Sequence, residues 1–272
     1  MRNFLLLIIK NGVHFIFIGL QILCFYLVIN FNQNQREIYF NSSRLFVGKM
    51  NQEVTELNDY LNLKKITDSL ASENASLIQQ LINTEVSSRE VADSVVQMYA
   101  VTPARICSKT LNLRNNYFTL CAGKENGVNR SMGVISNHGV VGITRDVSNH
   151  YTTVLPLNNS LSRLSCSIQG KDYFGNLVWK SMNPISMKLE GIPRHAKISV
   201  GDSVITSGYS AIFPKGIPVG SISNFSFSDE GSGNYNIDVK VFSDLSREEY
   251  VYVIENRQRA EIDSLQKLVL DE

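Results

Sequence analysis

Close to its amino terminus the chain carries nineteen consecutive residues without a formal charge, Val13–Phe31. As a helix rising about 1.5 Å per residue, such a run nearly crosses a hydrocarbon core of about 30 Å, so it predicts a single transmembrane anchor. Arg2 and Lys10 precede the run, which places the short segment 1–12 in the cytoplasm and the rest of the chain outside it. A cleaved signal peptide is the alternative, but the run does not end in the small residues of a cleavage site.

Charge and cysteine content argue against nucleic-acid binding and against a metal or cofactor site. The 26 Lys and Arg nearly balance the 25 Asp and Glu, so the chain lacks the basic surface of a nucleic-acid binder. Cys107, Cys121 and Cys166 follow the anchor, and an odd number leaves at least one thiol free or paired between chains. Cys107 and Cys121 flank a plausible hairpin and are candidates for a disulfide, although we favour buried thiols. Neither a metal site nor a cofactor is expected, because no C-x-x-C occurs and no histidines cluster at ligand spacing.

Behind the anchor the sequence acquires helical periodicity, and we expect one long coiled-coil helix over residues 36–98. From Leu70 onward, one stripe of positions advances alternately by four and three residues, which is a heptad seam with polar interruptions. Because a single helix cannot bury such a stripe, we expect a parallel homodimer, with Asn74 at an a-type position fixing the register. The alternative is a helix packed along its own β-domain. The predicted dimerisation residues are Asn74, Leu77, Leu81, Val91 and Val95.

From residue 101 the periodicity changes to two. Short alternating runs are separated by Gly, Asn and Ser, a pattern typical of small barrels or sandwiches. We expect a first β-domain over 101–163, a second over 164–256, and a helical tail over 257–272. The predicted fold class is therefore mainly β with a long N-terminal helix: a single transmembrane helix, a coiled-coil stalk and two small β-barrel-like domains.

The β region also repeats itself loosely. Val141-Gly142-Ile143 matches Val219-Gly220-Ser221-Ile222 approximately, and Leu161-Ser162-Arg163 recurs as Leu245-Ser246-Arg247. The matches are short and gapped. They predict two related β-domains, with coincidence as the alternative.

The most distinctive local motif is GDSVITSGYSAIFPKGIPVGSIS, residues 201–223. Pro214 and Gly216 fit a type I turn, and Pro218 is tolerated only at a strand start or edge. A catalytic interpretation would use Ser207 or Ser210 as a nucleophile, but T-S-G-Y-S is not the G-x-S-x-G of a nucleophile elbow. Two interpretations of the motif stay open: its Gly and Pro meet backbone requirements inside the barrel, or the segment shapes a surface for a partner.

The anchor, the helical segment, the β-rich region and this motif together resemble the MreC family of bacterial rod-shape-determining proteins. Tyr209-Ser210 departs from the family pattern, which commonly has Leu and Gly there, whereas Gly139-Val140-Val141-Gly142 resembles an earlier family motif. The motif residues that carry the resemblance are Gly201, Asp202, Thr206, Ser207, Gly208, Phe213, Pro214, Gly216, Pro218, Val219 and Gly220.

The resemblance implies a non-catalytic, membrane-anchored scaffold of the cell-elongation machinery that makes peptidoglycan. It implies that the extracytoplasmic part binds and activates a class B penicillin-binding transpeptidase, and that MreD, MreB and a SEDS glycosyltransferase are further partners. Two other classes remain as alternatives: a periplasmic adaptor of an export system and, less favoured, a membrane-anchored peptidase. An adaptor usually inserts its coil as a hairpin within a β-rich region, whereas here one uninterrupted helix precedes all β sequence.

Overall fold

The structure is a computed structural model that describes residues 12–31, 62–87, 98–181, 183–227 and 233–270 of the 272-residue chain. It contains helix α1 (Gly12–Phe31), helix α2 (residues 62–87) and helix α3 (Arg259–Leu270). The chain divides into two compact units, residues 1–67 and 68–272.

Helix α1 belongs to the first unit and leaves its apolar side chains exposed from Val13 to Leu27, the last residue of this helix whose side chain is described. Across the described residues, no helix meets both the length and the hydropathy that a membrane span requires. The anchor over 13–31 therefore stays a prediction from the sequence. The predicted cytoplasmic segment 1–12 lies outside the described residues except for Gly12.

The second unit is built mainly from strands, as the alternating pattern predicts. Twelve strands occur in the described residues: β1 (Tyr99–Lys109), β2 (Phe118–Leu120), β3 (Gly133–Ser136), β4 (Gly139–Val147), β5 (Thr152–Pro156), β6 (Arg163–Ile168), β7 (Phe174–Val178), β8 (Ser186–Glu190), β9 (Ser203–Thr206), β10 (Pro218–Phe227), β11 (Tyr235–Val241) and β12 (Tyr250–Asn256). A short 3-10 helix, Lys124–Asn126, follows β2.

The strands close into two antiparallel six-stranded barrels. The first barrel has the strand order β1-β12-β3-β4-β5-β2 and the second has β10-β11-β8-β7-β6-β9. Two barrel-like domains were predicted, with residues 164–256 forming the second. This assignment is wrong for β12, which pairs with β1 and β3 and therefore belongs to the first barrel. Local alternation identifies a strand without specifying its distant partner, so the sequence pattern could not reveal this return.

The two barrels are topologically equivalent. Matching β3 to β9, β4 to β10 and β5 to β11 superimposes one ring order on the other and places β12 on β6. The chain runs from β5 into β6, and from β11 into β12. Strand β6, which follows β1–β5 of the first barrel, therefore belongs to the second barrel. Strand β12, which follows β7–β11 of the second barrel, belongs to the first, so each barrel takes one strand from the other half of the chain. The recurring Leu-Ser-Arg segments lie near the starts of these two exchanged strands, with Arg163 as the first residue of β6 and Arg247 three residues before β12. This placement supports the predicted internal repeat.

Gly142 and Gly220 hold matching positions in this repeat. A β-carbon on Gly142 of β4 would lie 2.3 Å from the Leu155 carbonyl oxygen of β5. A β-carbon on Gly220 of β10 would lie 2.4 Å from the Lys240 carbonyl oxygen of β11. Both barrels thus need glycine at this position, because any side chain would collide with the backbone of the next strand.

From Asp68 onward, helix α2 packs on the β-structure of its own unit. Ala71 and Ala75 are buried, and Ile78, Ile82 and Val86 pack against the apolar core. The interpretation of a helix lying along its own β-domain, which the sequence analysis kept as an alternative, is therefore correct for this face. The rest of the predicted helix, residues 36–61 and 88–98, lies outside the described residues apart from Met98, which is not helical.

Candidate interaction surface around the motif loop

The family motif occupies β9, the start of β10 and the connecting segment 207–217, which we call the motif loop. Thr206, the last residue of β9, closes the base of this loop. Its buried Oγ1 donates a hydrogen bond to the Pro214 carbonyl oxygen at 2.5 Å and accepts one from the Ile217 N–H at 3.0 Å. Backbone hydrogen bonds join Thr206 to Ile217 and Gly216 as well. The hydroxyl of Thr206 thus pairs two buried backbone groups at once.

The motif loop, which joins two strands of the second barrel, also contacts the first barrel. The ring of Phe213 is buried and lies against Gly133 at the start of β3, where a β-carbon would come within 2.5 Å of Phe213 Cε1. Asn256, the last residue of β12, donates a hydrogen bond from Nδ2 to the Ala211 carbonyl oxygen at 3.1 Å. These contacts make the motif a joint between the barrels.

A second close contact joins the barrels beside the loop. A β-carbon on Gly139, the first residue of β4, would lie 2.3 Å from the carbonyl oxygen of Pro218, the first residue of β10. Gly139 has a φ of 142°, which favours glycine. Pro218 stands at the start of its strand, as the sequence predicts.

Asp202 anchors the turn before β9. Its Oδ2 accepts hydrogen bonds from Lys171 Nζ and, at 2.8 Å, from the Ser199 N–H. Partial burial raises the pKa of Asp202, but the hydrogen bonds from Lys171 and Ser199 outweigh it and leave the pKa below its ordinary value. Gly201, just before it, has a φ of 93° in this turn.

The motif serines make structural contacts. Ser207 Oγ lies 2.8 Å from Ser165 Oγ and 3.2 Å from the Ser165 carbonyl oxygen, and it accepts a hydrogen bond from the Tyr209 N–H at 3.2 Å. This set of partners contains neither an imidazole nor an amine that would take up the hydroxyl proton. The geometry of Ser207 therefore agrees with a loop-stabilising role.

Tyr209 projects from the motif loop into solvent. Its side chain is 73% exposed and makes an edge-to-face contact with Phe174 of β7, which is 57% exposed, at a ring-centroid distance of 5.1 Å. We call Phe174 and Tyr209 the aromatic pair. A cavity of about 470 Å³ adjoins Tyr209, and its lining includes Tyr99, Lys215 and Ile262. Exposed aromatic side chains beside a depression are characteristic of protein-binding hot spots.

A second exposed apolar surface runs along α2. Leu77 and Leu81 are 51% and 68% exposed, and Leu70 and Asn74 are exposed beside them. At ~100° per residue this stripe lies roughly 110° around the helix from the face that packs on the β-domain. One helix therefore carries two apolar faces, of which one is covered by its own chain. Val91 and Val95, the other predicted dimerisation residues, lie outside the described residues.

The cysteines differ from expectation in one respect. Cys107 and Cys121 form a disulfide with a Cα–Cα distance of 5.7 Å, and both residues are exposed, so the preference for buried thiols is wrong for this pair. Cys166 is a buried free thiol, and burial raises its pKa far above the ordinary value. In the described part of the chain, no cluster of three or more potential metal ligands occurs.

Sequence reasoning missed two residues, Phe174 of the candidate surface and Asn83 of helix α2. Phe174 lies in the stretch 171–193, which shows little that aligns with the family, and its contact with Tyr209 depends on how β7 pairs in the folded barrel. Asn83 is buried in α2 at a position that a heptad pattern does not mark. The side chain of Asn83 forms hydrogen bonds to Tyr99 in another segment, and helical periodicity gives no sign of such contacts.

Comparison with known proteins identifies the family. The family model described as "Rod shape-determining protein MreC, barrel core" matches residues 106–255, which is more than half of the chain. Cell shape-determining protein MreC of Listeria monocytogenes is 27% identical over 176 residues, 63% of this chain and 57% of that protein. MreC of Escherichia coli is 26% identical over 184 residues, 68% of this chain and 42% of that protein. The chain therefore spans about half the length of these relatives.

Solved structures share the architecture. One of MreC from Listeria monocytogenes has a TM-score of 0.55 at 24% identity, covering 76% of this chain and 96% of that one. The crystal structure of MreC from Pseudomonas aeruginosa has a TM-score of 0.51 at 20% identity, covering 56% of this chain and 97% of that one. At these identities the likeness establishes the fold. With the match over the barrel core, it follows that the chain belongs to the MreC family of rod shape-determining proteins.

Proposed function

We propose that this chain is a non-catalytic scaffold of the cell-elongation machinery, which controls cell shape by binding and activating a class B penicillin-binding transpeptidase. The observation that carries the proposal is that some residues of the motif are buried between the barrels while another is exposed to solvent. Thr206 and Phe213 are buried in the joint between the barrels, whereas Tyr209 is presented to solvent next to Phe174. A joint that holds two barrels rigidly and displays an aromatic pair suits recognition of another protein.

Activation in this proposal is a shift between conformations of the partner. The aromatic pair docks on the extracytoplasmic part of the transpeptidase and binds its active conformation more tightly than its inactive one. Two exposed aromatic rings and a neighbouring depression supply shape complementarity without a reactive group. Because the chain belongs to the MreC family, we also propose three further partners: MreD, MreB and a SEDS glycosyltransferase.

We also propose that the chain is a homodimer through α2. The support is the stripe of Leu70, Leu77 and Leu81 with Asn74, which keeps heptad spacing and is not covered by the chain's own β-domain. A second copy carries the same stripe, and parallel pairing of two such helices buries both. The opposite arrangement, with the stripe facing solvent in a monomer, would leave large apolar side chains exposed.

The proposed location is the bacterial inner membrane, with the amino terminus in the cytoplasm and the barrels outside it. The uncharged run 13–31 and the basic residues before it support this arrangement. An exposed disulfide between Cys107 and Cys121 agrees with an oxidising compartment.

Depletion in the host, followed by complementation, tests the function. Loss of the protein is expected to turn rod-shaped cells round, and a plasmid copy of the wild-type gene should restore rods. A copy with Phe174→Ser and Tyr209→Ser should fail to restore rods at equal protein level, whereas a copy with Phe227→Ser, which alters an exposed aromatic residue elsewhere on the second barrel, should succeed. Normal rods after depletion would contradict the proposal.

A further inference from the structure

The disulfide of Cys107 and Cys121 lies at an irregular point of the first barrel. Pairing between β1 and β2 skips a residue between Ile106 and Ser108, so Cys107 is the bulged residue. Cys121 directly follows β2, and its N–H donates a hydrogen bond to the Arg105 carbonyl oxygen at 2.9 Å. Strand β2 has three residues and makes three residue pairs with each neighbour. The disulfide therefore covalently closes the barrel beside a very short strand.

The segment enclosed by this disulfide contacts one of the two chain connections between the barrels, the one from β5 to β6. Asn116 Nδ2 donates to the Asn158 carbonyl oxygen at 2.8 Å, and Asn159 Nδ2 donates to the Asn116 carbonyl oxygen at 2.7 Å. The Ser160 N–H donates to the Arg114 carbonyl oxygen at 3.1 Å. Asn116, Asn158 and Asn159 are fully buried. We call residues 157–162, which join β5 of the first barrel to β6 of the second, the linker.

We propose that Cys107–Cys121 is a redox-exchangeable site whose partner is a thiol–disulfide oxidoreductase with a C-x-x-C dithiol, and that its state sets how firmly residues 108–120 hold the linker. Both cysteines are exposed, so such a partner reaches the sulfur atoms directly. Cys166 is buried, which keeps it out of the exchange. The inference rests on the proposed extracytoplasmic location for the supply of an oxidant.

The exchange balances as a two-electron reaction. In oxidation, the thiolate of one cysteine attacks the disulfide of the oxidised C-x-x-C protein and forms a mixed disulfide. The second thiolate then attacks that mixed disulfide, which forms the Cys107–Cys121 bond and releases the reduced dithiol. Two electrons and two protons pass from this chain to the oxidoreductase, and reduction by the dithiol form is the reverse.

The consequence for stability follows from loop closure. A disulfide with a sequence separation of 14 limits the freedom of the unfolded chain, and its loss is expected to lower Tm by about 6 to 12 °C in a domain of this size. Reduction should also free residues 108–120 from the linker, so the amide hydrogens of Ser160 and Leu161 should exchange faster with solvent.

Two measurements on the full-length protein, isolated from membranes, test this site. First, thiols are alkylated under denaturing conditions, and peptides are identified by mass spectrometry. Cys107 and Cys121 should be found linked, and Cys24 and Cys166 alkylated. Second, the protein is incubated with a reduced C-x-x-C protein, and Tm and amide exchange are measured. Tm should fall, and exchange should rise in the linker but not at Leu189 of the second barrel.

Variants provide the controls. The double variant Cys107→Ser, Cys121→Ser should begin with the lowered Tm and show no response to the dithiol, whereas Cys166→Ser should respond like wild type. Failure of the reduced C-x-x-C protein to open the Cys107–Cys121 bond, or unchanged linker exchange after reduction, would overturn the inference. Protease accessibility of the barrels from outside the membrane separates the two proposals, because correctly located barrels whose disulfide does not react with the dithiol overturn this inference and leave the scaffold function standing.

Discussion

The side chain of Asn83 pairs with both backbone polar groups of Tyr99. Asn83 Nδ2 donates to the Tyr99 carbonyl oxygen at 3.0 Å, and the Tyr99 N–H donates to Asn83 Oδ1 at 3.0 Å. Both residues are buried. The amide thus substitutes for a neighbouring strand at the first residue of β1, and it fixes the helix to the start of the first barrel.

Replacing Asn83 with Leu should destabilise the fold strongly. The variant leaves the Tyr99 N–H and carbonyl oxygen without the amide's hydrogen bonds in a buried place, and we expect a loss of about 2 to 4 kcal/mol in the free energy of unfolding. Urea denaturation measures it. Gln80→Ala, a change at an exposed position of the same helix, should stay within about 0.5 kcal/mol of wild type. Equal midpoints for Asn83→Leu and Gln80→Ala would refute the role of Asn83.

Asn74 offers a test of dimerisation. A polar residue at an a-type position fixes strand number at a cost in stability, so Asn74→Leu should raise Tm and shift the assembly from a dimer toward a mixture with larger oligomers. Light scattering after size-exclusion chromatography gives the stoichiometry. A variant with the Tm and stoichiometry of wild type would remove Asn74 from the interface.

Gly142 and Gly220 should respond alike to substitution because they occupy equivalent places in the two barrels. Alanine at either position puts a β-carbon within 2.4 Å of a carbonyl oxygen on the next strand, and we expect a cost of at least about 2 kcal/mol for each. Gly170→Ala is the control, since a β-carbon there meets nothing within 4 Å. Its positive φ should cost about 1 kcal/mol. Chemical denaturation that finds Gly220→Ala no worse than Gly170→Ala would contradict the equivalence.

Asp202 makes the stability of the second barrel depend on pH. Its pKa is lowered in the folded state, so the charged carboxylate stabilises the fold above its ordinary pKa of 3.8, and this contribution disappears as the pH falls below that value. Asp202→Asn should cost about 1 kcal/mol at pH 7. The difference from wild type should shrink as the pH falls through 3.8 and below it. A difference that is constant over this range would show that the charge of Asp202 is immaterial.

The sequence predicted those parts of the fold that local patterns encode. The change to period two predicted a mainly β fold, although it missed β3, whose four residues are all buried. The resemblance between Val141-Gly142 and Val219-Gly220 predicted two related domains, because both glycines meet the same local requirement. The return of β12 to the first barrel was not predictable, since a strand's alternation is the same whichever neighbour it pairs with. Exposure of Cys107 was missed for a similar reason, because the bulge that displaces it depends on pairing with β2.

The candidate surface was predictable only in part. The motif identified Thr206 and Phe213, which are buried, and Tyr209 stood out as a departure from the family pattern. Phe174 comes from another strand, so its contact with Tyr209 exists only in the folded barrel. In α2, heptad spacing identified the exposed stripe but not the second face on Ala71 and Ala75, where small residues allow close approach to the β-domain.

Binding of the transpeptidase tests the scaffold account most directly. The full-length protein in lipid nanodiscs would be titrated with the extracytoplasmic part of a class B penicillin-binding transpeptidase from the same cell. Phe174→Ser with Tyr209→Ser should weaken binding at least tenfold, about 1.4 kcal/mol, with Tm unchanged, whereas Phe227→Ser should bind like wild type. Wild-type affinity in the Phe174→Ser, Tyr209→Ser variant, or no binding by the wild-type protein, would contradict the account.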